Sequence, residues 1–159
     1  MSIIYADRTE TTTVGPPRIT EALGRRWDFD PSDSARQLLT FGPTVDLPLG
    51  EIALTRSGDK GANISLGIFV RTDEQWEWLR LCRTKARLKA MMGLDWEDRL
   101  WIERCEMPNV CAVHFVIYGM LDRGVTSSKR LDSLAKGFDE FIRAVHVPIP
   151  SRLLTSETL

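Results

Sequence analysis

Residues 52–70 read I-A-L-T-R-S-G-D-K-G-A-N-I-S-L-G-I-F-V. The second half shows what the stretch is. Ile64, Leu66, Ile68 and Val70 recur at every second position, which places them on one face of a strand. Ser65, Gly67 and Phe69 fall on the other face, and its two small residues leave room for a close neighbour or a ligand. Ile52 and Leu54 alternate in the same way beforehand. Two strands are therefore expected, joined as a hairpin by a loop R-S-G-D-K-G at 56–61. A loop that only turns needs glycines such as Gly58 and Gly61 and at most one aspartate. It does not need Arg56, Ser57, Asp59 and Lys60 together, so the loop is a candidate site.

Downstream, Asp73 is expected to cap a helix over E-Q-W-E-W-L-R-L-C-R-T-K-A-R-L-K-A-M-M, ended by Gly93. Helical spacing gathers Trp78, Leu79, Cys82, Ala86 and Ala90 on one side and Arg80, Arg83 and Arg87 on the other. The arginine face reads as solvated, or as a hold for an anionic partner. A second strand pair is expected at 99–106 and 110–118 around Met107-Pro108-Asn109, with Cys111, Val113, Phe115 and Ile117 opposite Ala112, His114, Val116 and Tyr118. A last helix is expected from Ser127 or Ser128, with Leu131, Leu134, Phe138, Phe141, Ile142 and Val145 as a wide apolar stripe. The order ββαββα implies an α+β two-layer sandwich: an antiparallel four-stranded sheet with two helices on one face.

Residues 1–46 differ. They hold T-E-T-T-T, G-P-P and D-F-D-P with no sustained period, and read as an irregular arm with a short helix at Ser34 to Leu39. Ile3, Ile4, Trp27, Phe29 and Phe41 are its candidate anchors on the domain or on a partner subunit. The domain is expected over 47–152 and a flexible tail over 153–159.

The 159-residue chain is 43% hydrophobic and 27% charged, as soluble single domains are. A net charge of -1 argues against bulk binding to nucleic acid or to an anionic membrane. No apolar run approaches the ~20 residues of a membrane span, and the N-terminus lacks a signal-peptide pattern. Cys82, Cys105 and Cys111 show no C-x-x-C spacing and read as free thiols in a reducing, cytoplasmic compartment.

A P-loop would need lysine after its second glycine, whereas Lys60 precedes Gly61. No G-x-G-x-x-G is present. His114 and His146 have no partners at metal-ligand spacing, so no metal or cofactor is expected. Ser57 lies in no G-x-S-x-G elbow. His114, in an apolar strand, reads either as a satisfied buried imidazole or as a proton-transfer group facing a cavity with Tyr118. Asp122-Arg123-Gly124 and Ser127-Ser128 are turn and cap signals that can also bring donors near the loop.

R-S-G-D-K-G at 56–61 resembles the signature of the small C-terminal domain of the acyclic terpene utilisation family. The likeness continues through D-E-Q-W-E-W-L-R (73–80), E-M-P-N-V-C-A-V-H-F (106–115), L-D-R-G-V (121–125), L-D-S-L-A-K (131–136) and V-P-I-P (147–150), and its later motifs look most like those of fungal members. The resemblance implies a ferredoxin-like fold and an apolar, branched substrate class handled through CoA thioesters. That domain normally follows a much larger one, and here it is expected to stand alone. Where the family usually carries asparagine, this chain has Ser65, with Asn63 two residues earlier.

The leading expectation is a small stand-alone, cofactor-independent enzyme of fungal secondary metabolism that cyclises or isomerises an apolar terpenoid-like molecule. Arg56 and Lys60 would be its donors, Asp59 would hold them, and His114 completes the catalytic set. Ser57, Ser65, Phe69, Asn109, Tyr118 and Arg123 are the expected substrate-binding side chains. A homo-oligomer is expected. The alternatives are a lyase or hydratase on a branched acyl-CoA, with Arg80, Arg83 and Arg87 on the CoA phosphates, and a non-catalytic oligomerisation or partner-binding domain.

Overall fold

The turn within the signature is shorter than its composition suggests. The computed structural model describes residues 2–13, 15, 17–22, 29–31 and 34–154. In it strand β4 (Leu54–Lys60) pairs antiparallel with β5 (Asn63–Phe69), and Lys60 lies opposite Asn63. Only Gly61 and Ala62 remain between them. Gly61 has φ +62, the left-handed value that a two-residue hairpin with glycine at its first turn position requires. The expected loop from Arg56 to Lys60 is therefore strand, and its side chains alternate between two faces. A strand this polar persists because the segment 132–139 covers its outer edge: Asp59 N–H donates to Leu134 O at 3.1 Å.

The other hairpin is β6 (Trp101–Met107) and β7 (Ala112–Tyr118), joined by a single helical turn at Pro108–Val110. Cys111 has φ 49, so it leaves the inward alternation expected of it, and Val113, Phe115 and Ile117 keep theirs. The four strands form one antiparallel sheet in the order β4-β5-β7-β6. One face carries Ile64, Leu66, Ile68, Val113, Phe115 and Ile117, all at most 2% exposed.

The expected long helix is two: α2 (Asp73–Cys82), capped by the Thr72 hydroxyl, and α3 (Lys85–Met92), capped by that of Thr84. The break at Arg83 resets the helical phase. Leu88 and Met92 are buried, and Ala86 and Ala90, expected in the core, are exposed. The carbonyls freed at the break are met by Arg104, on the inward face of β6. Its guanidinium donates to Arg83 O at 2.8 Å and to Arg80 O at 2.6 Å. It also donates to Phe29 O and pairs with Glu106 at 2.9 Å.

The last helix, α4 (Phe138–Ala144), begins about ten residues later than the apolar stripe suggests. Ala135 stands at φ 52, and the Asp132 carboxylate accepts from the N–H groups of Lys136 and Gly137, both at 2.8 Å. These local bonds turn the chain where a helix would have continued. Leu131 and Leu134 are consequently exposed, while Phe138 and Ile142 reach the core. Ser57, in register with Leu66, hydrogen-bonds to Asp139 in α4, and Arg104, in register with Phe115, donates to the last turn of α2.

Strand β3 (Thr44–Pro48) pairs with β8 (His146–Pro150) and spans the expected arm boundary at 46/47. Upstream lie the hairpin β1 (Ser2–Ile4) and β2 (Thr9–Thr11) and the short helix α1 (Ser34–Leu38). Of the expected arm anchors, Phe41 is buried, while Ile3, Ile4 and Phe29 are exposed; Trp27 lies outside the described residues. Of the expected tail, Ser151–Leu153 form a helical turn and Leu153 is buried. The fold is thus α+β with antiparallel sheets. Among the described residues, no helix is long and apolar enough to cross a membrane.

Candidate functional site

Alternation along four paired strands sorts the signature into two groups. Ser57 and Asp59 point to the helix side with Leu66 and Ile64 opposite, whereas Arg56, Gly58 and Lys60 belong to the outer face. Register then builds that outer face in rows. Leu54, Phe69, Ala112 and Met107 form the first, and Arg56, Gly67, His114 and Cys105 the second. Gly58, Ser65, Val116 and Glu103 form the third, and Lys60, Asn63, Tyr118 and Trp101 close the face.

Ser57 is a structural residue. Its Oγ lies 2.5 Å from Ala135 O and 2.7 Å from Asp139 Oδ1, and it accepts from Asp139 N–H at 3.0 Å. Thr55 donates to the same aspartate. The buried Asp139 carboxylate, in the first turn of α4, is thereby satisfied by the strand it docks on. At Gly58 a Cβ would stand 3.0 Å from Lys136 Nζ, the far end of a flexible side chain that lies over it on the outer face. Asp59 makes no ion pair with Arg56 or Lys60 and so does not hold them as expected. The Lys60 ammonium instead donates to Asp59 O at 2.9 Å.

The outer face gathers Arg56, Lys60, Ser65, Phe69, His114 and Tyr118. Ser65 Oγ is 2.9 Å from His114 Nε2. The imidazole is half buried, and that burial holds it below its usual value; the Glu103 carboxylate raises it and Lys60 lowers it further. His114 is therefore neutral near pH 7, with a hydroxyl partner on one ring nitrogen. Two strands away from the cations, Tyr118 donates to Glu103 at 2.5 Å and stacks on Trp101 at 3.8 Å with 3° between the rings. Phe69 lies along Gly67, beside His114. Glu103 and Trp101 were not expected from the sequence. The alternation of β6 carries them to the face, and only its pairing with β7 shows that they belong there.

Asn109 and Arg123 are not brought to this cluster. Asn109 is exposed in the β6–β7 turn, at the opposite end of the sheet from the Gly61 hairpin. Arg123 is exposed in the turn after β7, which packs on that hairpin through Leu121 N–H to Ala62 O at 2.9 Å. The arginine face is also different from its expectation. Arg83 is buried, faces Trp78 at 5.9 Å and donates to Met91 Sδ at 2.9 Å, and Arg80 is paired with Glu77 and Glu106. These side chains do not form a free set for CoA phosphates. Burial pushes the Cys82 thiol up, against the opposing effect of Arg83, so it is no nucleophile.

An apolar cleft lies elsewhere, beside Ile64 and the start of α4. About 430 Å³ in volume, it is lined by Ile64, Met120, Leu131, Phe138 and Phe141, with Asp95, Arg130 and Asp132 among its polar groups. Those polar groups are engaged: Asp132 in the turn before α4, Arg130 with Glu97 and Met120 O. The cleft has the shape for an apolar molecule and the outer face has the acid–base groups. Chemistry needs the latter, so the outer face is the stronger candidate.

A family model described as the AtuA ferredoxin-like domain matches residues 47–148. No curated protein and no solved structure gives a significant match to the chain.

Proposed function

The chain belongs to the AtuA ferredoxin-like domain family, and on that premise we propose that it is an enzyme that isomerises or cyclises an apolar, terpenoid-like molecule on the outer face of its four-stranded sheet. The observation that carries this is the Ser65–His114 contact: a neutral imidazole, oriented by a hydroxyl, on a face flanked by Arg56 and Lys60. Proton transfer uses the tautomer in which Nε2–H donates to Ser65 Oγ and Nδ1 carries the lone pair. Nδ1 takes a proton from a carbon next to a substrate carbonyl and returns it at another carbon, shifting the double bond.

Arg56 and Lys60 stabilise the negative charge that develops on the carbonyl oxygen, an effect worth about 3 kcal/mol per well-placed donor. Phe69, Val116 and the Trp101–Tyr118 stack supply apolar surface for the rest of the molecule. Positioning a flexible chain on such a surface contributes up to about 7–11 kcal/mol when two reacting ends are brought together. The family resemblance supports the substrate class and a place in fungal secondary metabolism.

The test is incubation of the purified protein with the apolar extract of source cells that lack the gene. Conversion of an accumulated compound is expected, with a loss of about 10²–10⁴-fold in His114→Gln and a clear loss in Lys60→Ala. Full turnover by His114→Gln would remove the acid–base site. The absence of any converted compound would remove the enzyme.

A further inference from the structure

We propose that the apolar molecule taken by the outer face carries a doubly charged oxyanion, a phosphate-type head group, held over Gly58 by Arg56, Lys60 and Lys136. This rests on the reading of that face as the site, and it names the class of molecule the site takes. Gly58 is buried, and the Lys136 ammonium, brought by the segment before α4, lies 3.0 Å from where its Cβ would stand. Arg56 and Lys60 stand two residues to either side of Gly58 on the same face, about 7 Å away along the strand. Three cationic side chains therefore surround one glycine.

Like charges gathered in this way repel one another unless something negative lies among them. Elsewhere the chain provides it: Arg80, Arg99, Arg104, Arg130, Arg143 and Arg152 each have a carboxylate partner. Around Gly58 it does not. Among the described residues no carboxylate pairs with Arg56, Lys60 or Lys136, and the Lys60 ammonium donates to the Asp59 carbonyl instead. The Asp59 carboxylate belongs to the other face, in register with Ile64. Glu103 ends the row of Gly58 three strands away, about 14 Å, and is taken by Tyr118. The counter-charge of the cluster is left to a ligand.

The rest of the face fits a molecule with such a head. The row of Gly58 continues with Ser65 and Val116, compact side chains between the taller rows of Arg56 and His114 and of Lys60 and Tyr118. It gives a low path across the sheet, from the cations past the Ser65–His114 contact to the Trp101–Tyr118 stack. A dianion interacts twice as strongly with each cation as a carboxylate does. Two of the three positive charges neutralise it, and that of Arg56, in the row of His114, remains for the carbonyl oxygen. Glu103 repels the head group from the far end and so fixes which way round the molecule lies. His114 is two strands from Gly58, roughly 10 Å, which sets the reacting carbons several bonds from the head.

Isothermal titration of the full chain at constant ionic strength gives the test, with octyl phosphate, octanoate and octanol as one tail bearing three charges. Octyl phosphate is expected to bind about tenfold or more tightly than octanoate, and octanol more weakly still. Lys136→Met is expected to weaken octyl phosphate by about tenfold and to leave octanol unchanged, as the loss of one charged contact predicts. Lys136→Arg keeps the charge and most of the affinity. Octyl phosphate bound no more tightly than octanol overturns the proposal, as does unaltered affinity in Lys136→Met. Octanoate bound as tightly as octyl phosphate overturns it too, since the site is then made for a single charge. If far-UV circular dichroism shows Lys136→Met unfolded, Lys60→Gln takes its place with the same expected loss. The result is separable from turnover. Affinity for octyl phosphate that depends on Lys136 upholds the site even where no compound is converted. Conversion of a neutral compound by a chain indifferent to octyl phosphate overturns it and leaves the enzyme in place.

Discussion

Ser57 Oγ lies 2.7 Å from Asp139 Oδ1 across 82 residues of sequence, and this contact docks the last helix onto the edge strand of the main sheet. The same oxygen accepts the Asp139 N–H at 3.0 Å, so one hydroxyl serves a buried carboxylate and a backbone donor at the start of α4. Alanine at 57 leaves both unmet. A buried group deprived of its partner costs about 1–3 kcal/mol. Ser57→Ala is expected to lower the urea midpoint by an equivalent amount with no change in the denaturant slope. A midpoint equal to wild type would mean that α4 docks by its apolar side chains alone.

The two glycines of the signature differ in their reasons, and alanine tells them apart. Gly61 sits at φ +62, where an L side chain meets the following carbonyl, so Gly61→Ala is expected to lose about 1–2 kcal/mol. Gly58 has ordinary strand backbone, and a Cβ there meets only the far end of the flexible Lys136 side chain, 3.0 Å away. Gly58→Ala is expected to be within about 0.5 kcal/mol of wild type, since alanine suits a strand better than glycine does. Thermal melts of the two variants side by side decide it.

The pH dependence of stability has a definite sign at His114. Its folded pKa lies below the unfolded value, chiefly through burial, so the unfolded chain takes up the proton first as pH falls. Above the unfolded value of about 6.5 the residue contributes no slope; below it, stability falls with pH until the folded imidazole also protonates. His114→Gln is expected to flatten the part of the melting-temperature profile that falls away below about pH 6.5. An identical slope in the variant would show that the acid loss originates in other groups.

Arg104 is buried and gives its donors to Arg83 O, Arg80 O and Phe29 O, with Glu106 and Asp30 as its counter-charges. Arg104→Met fills the volume and leaves those carbonyls and carboxylates unanswered. A loss of about 3 kcal/mol is expected, in line with the removal of one partner from a buried ion pair. Equilibrium unfolding in urea measures it.

The strands were legible because burial on one face writes a period of two into the sequence, and Ile64, Leu66, Ile68, Val113, Phe115 and Ile117 keep that period without interruption. The short helix α1 was legible for a similar local reason, the turn signal of Asp30-Pro31 before it. The helices of the second layer were harder. An apolar stripe from Leu131 to Val145 satisfies helical spacing, yet the Asp132 carboxylate takes the backbone N–H groups at 136 and 137, and a local hydrogen bond of that kind leaves no mark on hydrophobic periodicity. The break at Arg83 depends on a side chain 21 residues away, which no window of sequence contains.

The site was half legible for the same reason. His114, Tyr118, Ser65 and Lys60 could be singled out by type. Ser57 and Asp59 could be excluded from the outer face only once the signature was known to be strand rather than loop, since alternation separates neighbours that a loop would gather. Glu103 and Trp101 acquire meaning only through the pairing of β6 with β7.

The reach of Arg104 to Phe29 and Asp30 also bears on where this protein can be cut. The family-matched stretch, 47–148, begins inside β3 and ends inside β8, and it omits Asp30, one of the two counter-charges of the buried guanidinium, and the core residue Phe41. The evolutionary unit and the cooperative unit therefore do not coincide. A fragment trimmed to the family boundaries would lose one carboxylate and one carbonyl from the buried guanidinium and keep only part of a strand pair, whereas one starting at residue 29 keeps them all.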